Sequence, residues 1–462
     1  MEKINFFLKE RENSVFNNDW RKQYCCGCGA CSAICKNKLN ELKFDDNSGF
    51  YISIYKELDF KKCKNCNLCI KVCPIFHYLN NNYNLDSFNF NIEKFLIGPF
   101  LNIYKGYSCD KDIRFNSSSG GITTTIICCL LKKKYINGAI TVLPYPNDTS
   151  KHYMTLTKSA DEAMKQNDSI YCQVNYSTIW NYIHNNKGKI LLIGLPCQLK
   201  AVELYLNVKK ADTSKLIKIG LFCGGISSHL ALDFLYKRKN IDKTKISKIR
   251  YRNGGWPGRK MIITKLNTEH QKSNDKIVLF DTKNSLFDRY LYKYCFSGSF
   301  FPECCNNCLD QTSESADISL GDAWLPDIIN KDNIGTNIVI TRTKEGQKII
   351  NDLKNDKYLN LKKIKPEDVI CSQGKVLFGK KLNLWNRSNK KNNFELYKKI
   401  FEKCRNKYPQ YFPDYFDFFE RKIFNKLNKK GGNSLILLFF IIFNIVVIRV
   451  RKIIGRYFYI RN

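Results

Sequence analysis

Eight cysteines near the start of the chain carry the most specific chemistry in the sequence. Cys25, Cys28, Cys31 and Cys35 follow the spacing C-x2-C-x2-C-x3-C, and Cys63, Cys66, Cys69 and Cys73 repeat it with Pro74 directly behind. Three thiolates at that spacing can be offered by one tight loop to one iron–sulfur cube. The fourth is displaced onto the next turn or helix, where in two-cluster ferredoxins it reaches the other cube. Gly27, Gly29 and Ala30 keep the first loop slim, Cys26 stands outside the frame, and Lys36 stands where many such runs have Pro. Tetrahedral zinc is the competing chemistry, but it usually pairs two C-x2-C knuckles across a longer gap. The spacing therefore predicts two 4Fe–4S clusters held by these eight thiols.

A further set is scattered. Cys197 follows the apolar run Ile190–Ile193 through Gly194-Leu195-Pro196 and opens a predicted helix, whose N-terminus favours a thiolate. Cys223 closes the run Leu216–Phe222. Both positions fall at the C-terminal ends of predicted strands, where α/β sheets place ligands. Cys305 and Cys308 add a C-x2-C pair, so the four make a candidate third cluster. Two other readings stay open: Cys197 and Cys223 as small core residues, or Cys305 and Cys308 gripping zinc with Cys304 or Cys295.

Ser117-Ser118-Ser119-Gly120-Gly121 precedes a Thr/Ile-rich stretch. Backbone N–H groups of such a turn can cradle phosphate, or the segment can be an ordinary helix cap. No G-x-G-x-x-G follows a predicted strand, so a dinucleotide fingerprint is absent. The histidines are His77, His152, His184, His229 and His270, too scattered to suggest a His-centred catalytic group.

These residues need a scaffold, and the hydrophobic pattern supplies one. Gly138–Leu143, Ile190–Ile193 and Leu216–Phe222 read as buried strands, with helices Leu199–Leu206 and Leu230–Lys237 after two of them. Ile246–Tyr251, Met261–Lys265, Ile318–Leu320 and Ile338–Thr341 read as further strands. The expected architecture is an α+β ferredoxin-like two-cluster module at 21–80, then an α/β domain at 100–385 with a partly parallel sheet. That domain divides into parts at about 100–185 and 186–385, and the Asn-rich stretch from Asn80 to Asn84 is the linker before it. A helical extension at 386–433 and an apolar, basic tail at 434–462 complete the chain.

In the extension, Phe412, Phe416, Phe419 and Ile423 share a helical face. In the tail, Leu435–Ile448 would be ~21 Å long as a helix, short of a ~30 Å hydrocarbon core. Lys426, Lys429 and Lys430 precede it, and Arg449, Arg451 and Lys452 follow. Val450, Ile453, Ile454 and Tyr457 continue the stripe, which suits an anchor on the inner membrane face; a core helix or a partner-binding helix is the alternative.

The chain has 462 residues and a formal net charge of +34. The charge is spread along the sequence, mostly as Lys beside abundant Asn, Ile, Tyr and Phe, and no basic-aromatic module appears, so nucleic acid is not an expected partner. The 21 cysteines are an odd number in a chain too large to need disulfide staples. No apolar signal core opens the sequence, so the expected compartment is the cytoplasm, with reduced thiols.

Taken in order, several segments resemble the coenzyme F420 hydrogenase/dehydrogenase beta-subunit family. They are Ser117–Gly121; Tyr171-Cys172-Gln173; Gly194-Leu195-Pro196-Cys197-Gln198; Cys223-Gly224-Gly225; Tyr251-Arg252-Asn253-Gly254-Gly255-Trp256; Cys305-Asn306-Asn307-Cys308; and Asp317–Trp324. Gly224 and Val174 stand where the family often has His and Ser. The resemblance implies a flavin-binding α/β domain with FAD, contacted by Ser117, Ser118, Ser119, Gly120, Gly121 and Gln173. It implies a flavin- and cluster-dependent oxidoreductase fed by a ferredoxin-like donor and delivering to an organic substrate or deazaflavin coenzyme. An electron-relay subunit partnering a catalytic hydrogenase or formate dehydrogenase subunit is the second reading. A zinc-bearing nucleic-acid-binding protein is the remote third.

Overall fold

The computed structural model describes residues 18–55, 66–80, 91–165, 168–185, 187–253, 255–256, 258, 260–266, 276–388 and 394–408. Cys63, Gly254, His270, the face from 412 to 423 and the 434–462 tail lie outside these residues.

The N-terminal region pairs β1 (Asn40–Asp45) with β2 (Phe50–Tyr55) as an antiparallel hairpin. Short helices surround it: Asn18–Tyr24, Ala30–Ile34, Leu68–Lys71 and Pro74–Asn80. The larger region is built on β3 (Asn102–Ser108), β4 (Gly138–Tyr145), β5 (Asp148–Thr157), β6 (Ile190–Gly194) and β7 (Leu216–Leu221). A separate antiparallel sheet follows, made of β8 (Ile246–Asn253), β9 (Lys260–Lys265) and β10 (Lys276–Asp281). The chain then returns with β11 (Ile318–Asp322), β12 (Asn337–Thr341) and β13 (Leu359–Lys363). The resulting eight-stranded sheet has the order β13-β3-β12-β11-β7-β6-β4-β5.

Its centre, β4-β6-β7-β11, is parallel, and the strands outside that block pair antiparallel. The central strands are continuous apolar runs because both faces are covered. Ile190 and Leu192 face one core, with Leu199, Val202 and Ile338. Leu191 faces the other, with Ile217, Leu320 and the helix Ile122–Lys132. That division follows from the two-residue period of a strand.

The seven predicted strands and two predicted helices all form, with ends shifted by a residue or more. Two differences have physical causes. The strands at 246–253 and 260–265 pair with each other, and the second with β10, in their own sheet outside the main one, around a separate aromatic core that includes Tyr251, Tyr294 and Phe296. Edge strands β5 and β13 escape the apolar-run criterion because each buries only alternate residues, as in the His152, Met154 series of β5. β3 pairs with β12 and β13, so the parts at 100–185 and 186–385 share one sheet.

Candidate redox centre

Gly27 and Gly29 take φ +68° and +71°, the left-handed region that only glycine enters cheaply. At Gly27 a Cβ would also lie 2.1 Å from Gln173 Nε2 and 2.6 Å from the Tyr51 carbonyl oxygen. The loop can therefore turn its own amides toward sulfur. Gly27 and Ser53 N–H groups each donate to Cys25 Sγ at 3.4 Å. Leu39 N–H donates to Cys35 Sγ at 3.4 Å and Phe76 N–H to Cys73 Sγ at 3.5 Å. Such bonds favour thiolates and tune cluster potentials.

Arg21 is buried, and its Nη1 donates to Ser53 Oγ at 2.9 Å and Cys31 Sγ at 3.4 Å. Burial pushes the Cys25 thiol up to about 12, with Cys31 and Cys28 adding to it. Burial also pushes Cys73 up, and its next neighbours are Cys28, Cys31 and Cys25. The last cysteine of the second run thus faces the first three of the first run, as the crossed spacing anticipates.

Cys26, outside the frame in sequence, is buried between Cys28 and Cys197. Its hydrogen bonds with Cys197 and Cys28 hold its own thiol well above the usual range and draw Cys28 down. Cys197 occupies the first turn of the helix Pro196–Lys209, which begins directly after β6 with Pro at its first position. Gln198 closes that turn by accepting from Leu195 N–H at 2.8 Å.

Cys223 lies just past β7, its N–H donating to the Gln311 carbonyl at 2.9 Å. Burial pushes its thiol up, Lys380 opposes this, and Cys305, Cys197 and Cys308 reinforce it. Burial sets Cys308 at about 11, again with Lys380 opposing and Cys197 adjacent. The Cys304 thiol donates to Cys305 and pulls it down. The four cysteines of the scattered set therefore share one nest, Cys308 buried and Cys197, Cys223 and Cys305 partly buried. Cys295 does not join it; it packs beside Cys172 in the aromatic core.

Two residues that the sequence did not single out complete the nest. The Tyr176 hydroxyl, fully buried and without a hydrogen-bond partner, lies near Cys197 and Cys28. Lys380, 6 % exposed on the helix Pro366–Ser388, has Cys308, Cys223 and Cys305 as its neighbours. No carboxylate pairs with Lys380 among the described residues. Nothing in a Lys-rich helix marks which lysine turns inward. Among the described residues no three His, Cys, Asp or Glu side chains close on a point as a single metal ion requires. Thiols around a cubane stand farther apart, each on its own iron, so a four-thiol nest with a buried lysine hydrogen-bonded to Cys308 and an orphaned hydroxyl fits a cluster.

The Ser117–Gly121 segment links the helices Lys111–Asn116 and Ile122–Lys132. Gly121 takes φ +77° to start the second helix. The Ser108 amide donates to the Gly120 carbonyl at 2.7 Å, and a Cβ at Gly120 would lie 2.7 Å from Asn337 Oδ1 and 2.9 Å from the Gly106 carbonyl oxygen. Ser118 Oγ accepts from Ser169 N–H at 2.9 Å, and Ser119 Oγ donates to the Thr336 carbonyl at 3.2 Å. Ser117 Oγ and Asn337 Oδ1 are buried with no partner. Arg114 donates to the Gly335 carbonyl at 3.0 Å and pairs with Asp332, while Arg250 donates to the Asn116 carbonyl at 3.0 Å and pairs with Asp168. A helix N-terminus, close backbone approach and an orphaned Ser117 hydroxyl that can donate fit a phosphate-bearing cofactor such as FAD, while the orphaned Asn337 Oδ1 can only accept.

Two other resemblance segments meet nearby. Arg252 pairs with Asp322 at 2.8 Å, Trp256 stacks on Trp324 with centroids 5.1 Å apart, and Trp256 N–H donates to the Asn333 carbonyl at 2.7 Å.

Gln173 is not brought to this loop. Its Nε2 donates to the carbonyls of Cys26 at 3.0 Å and Tyr51 at 3.2 Å, and its Oε1 accepts from Tyr51 N–H. With every polar atom of its amide engaged at the base of the first cysteine loop, Gln173 gains no support there as a flavin contact. It belongs to a seam joining the two regions. Trp180 Nε1 donates to the Cys28 carbonyl at 3.0 Å, and His229 N–H to the Gly49 carbonyl at 3.1 Å.

Two family models match the chain, together over more than half of it. Residues 103–180 match the coenzyme F420 hydrogenase/dehydrogenase beta-subunit N-terminal region, and 187–367 match its C-terminal region. One subunit of the F(420)H(2) dehydrogenase of Methanosarcina mazei is 24 % identical, over 72 % of this chain and 83 % of the relative. The coenzyme F420-dependent sulfite reductase of Methanocaldococcus jannaschii is 25 % identical over 74 % of this chain, a match that spans 47 % of the reductase. A chain of the F420-reducing NiFe hydrogenase complex from Methanosarcina barkeri gives a TM-score of 0.47 at 19 % identity, over 64 % of this chain and 92 % of that one.

Proposed function

Because the chain belongs to the coenzyme F420 hydrogenase/dehydrogenase beta-subunit family and its role is oxidoreductive electron transfer, we propose that it works with three 4Fe–4S clusters and one FAD. When bound, the clusters carry single electrons and the flavin pairs them for hydride chemistry. Cys25, Cys28, Cys31 and Cys73 hold one cluster, and Cys63, Cys66, Cys69 and Cys35 the second. Cys197, Cys223, Cys305 and Cys308 hold the third. The observation that carries this reading is the nest of Cys197, Cys223, Cys305 and Cys308, beside which stands Lys380, a lysine that no carboxylate pairs with among the described residues.

Each residue has a task. Cys26 and Tyr176 lie between the Cys28 loop and Cys197 and link the two cluster regions. The amides of Gly27, Ser53, Leu39 and Phe76 hold thiolates in place. Ser117–Gly121 and the N-terminus of the helix Ile122–Lys132 receive the diphosphate of FAD, with the Ser117 hydroxyl able to donate to a phosphate oxygen and Asn337 Oδ1 able to accept from a hydroxyl of the cofactor. A ferredoxin-like protein donates electrons, and an organic substrate or a deazaflavin coenzyme accepts them. The 434–462 tail rests on the inner membrane face; no described helix is long and apolar enough to cross a membrane.

A second reading, an electron-relay subunit beside a separate catalytic subunit, draws support from the relative named as a dehydrogenase subunit. Anaerobically prepared protein should contain about twelve irons and one FAD, and Cys308→Ser should fall to about eight irons with FAD retained. About eight irons in both proteins would sink the third cluster. Copurification of a stoichiometric catalytic subunit would favour the second reading.

A further inference from the structure

Lys380 is a buried cation whose main charged or chargeable neighbours among the described residues are the thiols of Cys308, Cys223 and Cys305. The helix that carries it is fixed against the nest from several sides. Val376 Cγ1 lies 3.8 Å from the point where a Gly224 Cβ would stand. Gln373 donates to the Asp322 carbonyl at 2.8 Å and accepts from Gln311 at 3.0 Å, and Ser372 Oγ accepts from Trp324 N–H at 2.8 Å. The next residue along the helix, Lys381, has its own acid, Glu314 at 2.8 Å. Lys380 has none among the described residues.

A buried charge without compensation is strongly destabilising, so an anion must balance it. One thiolate would suffice for pairing alone. A fully thiolate-ligated cluster carries more negative charge, and gains another unit on reduction, so a fixed cation beside it favours the reduced form.

Resting on the three-cluster reading above, we propose that Lys380 is the built-in counter-charge of the third cluster and raises its reduction potential. Lys380 hydrogen-bonds Cys308 and lies within electrostatic reach of Cys223 and Cys305, three of the four ligands. It therefore sets the inner cluster as an electron sink relative to the same site without the charge. The residue positions charge; it does not react.

The test is an EPR-monitored redox titration of the full chain carrying its clusters and flavin, with iron counted in the same samples. In Lys380→Met one cluster signal should titrate lower, its one-electron reduction constant falling at least tenfold, or about 59 mV. The signals of the N-terminal pair should hold still. Lys380→Arg should return the shifted signal to within about threefold of the parent constant. Lys380→Gln, polar but neutral, provides a second neutral variant if Lys380→Met does not fold, and should behave in the same way. Loss of about four irons from Lys380→Met and Lys380→Gln, but not from Lys380→Arg, would equally support the counter-charge. The same three potentials in every variant, with iron unchanged, would overturn the inference and leave the cluster reading standing. So would equal iron loss in all three variants, which would mean shape and not charge. Only about eight irons in the parent chain would overturn both.

Discussion

The N-terminal cysteine module and the inner thiol nest gather the same chemistry by opposite routes. In the module, short spacing does the work: glycines at 27 and 29 bend the backbone until its own amides face the sulfurs. In the nest, Cys197 comes from the end of β6, Cys223 from the end of β7 and Cys305 and Cys308 from a loop before β11, while a fourth segment brings Lys380. Each region has one buried cation beside its thiols, Arg21 in the first and Lys380 in the second. Arg21 shares its donors with Ser53; Lys380 faces sulfur. A local motif can hold a cluster with backbone alone, whereas a site assembled from distant strands needs the whole sheet to be in register.

The largest expected effect tests how the module divides its ligands. Cys73→Ser and Cys25→Ser should abolish the same EPR signal and about four irons, and Cys35→Ser should abolish the other, leaving the nest intact in all three. If Cys73→Ser and Cys35→Ser struck the same signal, the crossed arrangement would be wrong. A smaller effect probes the seam between the regions. Gln173→Leu strips partners from Tyr51 N–H and two buried carbonyls and should lower unfolding stability by about 3 kcal/mol, read by denaturant midpoint. Loss of FAD with stability unchanged would restore the flavin role that the resemblance assigned to Gln173.

The smallest effect is a pH dependence at the same seam. Burial holds His152 down to about 4 and His229 below its ordinary value as well. Their unfolded counterparts titrate near about 6.5, so the unfolded chain binds more protons across that interval. Stability is therefore full above about pH 6.5 and falls as pH drops toward 4, by up to about 2 kcal/mol at pH 5 from His152. His152→Phe should flatten the difference between unfolding midpoints at pH 7 and pH 5. An unchanged slope would put the acid sensitivity elsewhere.

The sequence made the module and the parallel core of the sheet readable for one reason: both are written in short-range patterns. Cysteine spacing is local, and so is an apolar run such as Ile190–Ile193. The candidate third set was read from Cys197 and Cys223 at strand ends and from the C-x2-C pair Cys305 and Cys308, though no local pattern joins the two halves. Lys380, Tyr176 and the placement of Cys26 were not readable, because each depends on which face of a helix or loop meets a segment far away in the chain. Gln173 shows the same limit from the other side: it stood in a segment matching the family, yet its neighbours are set by the hairpin at 40–55. The edge strands were missed because half of each faces solvent and its pattern resembles a loop.

The pairing of β3 with β12 has a consequence for how the protein comes into being. Asn102 donates to Thr341, its partner 239 residues later in the chain. At ~5–20 residues per second, a ribosome needs roughly 12–48 s to deliver that partner. The Ser117–Gly121 turn, which leans on Thr336 and Asn337, cannot reach its final shape until β12 arrives. A chain truncated before residue 337 would lack β12, leaving β3 and β11 without the strand that lies between them.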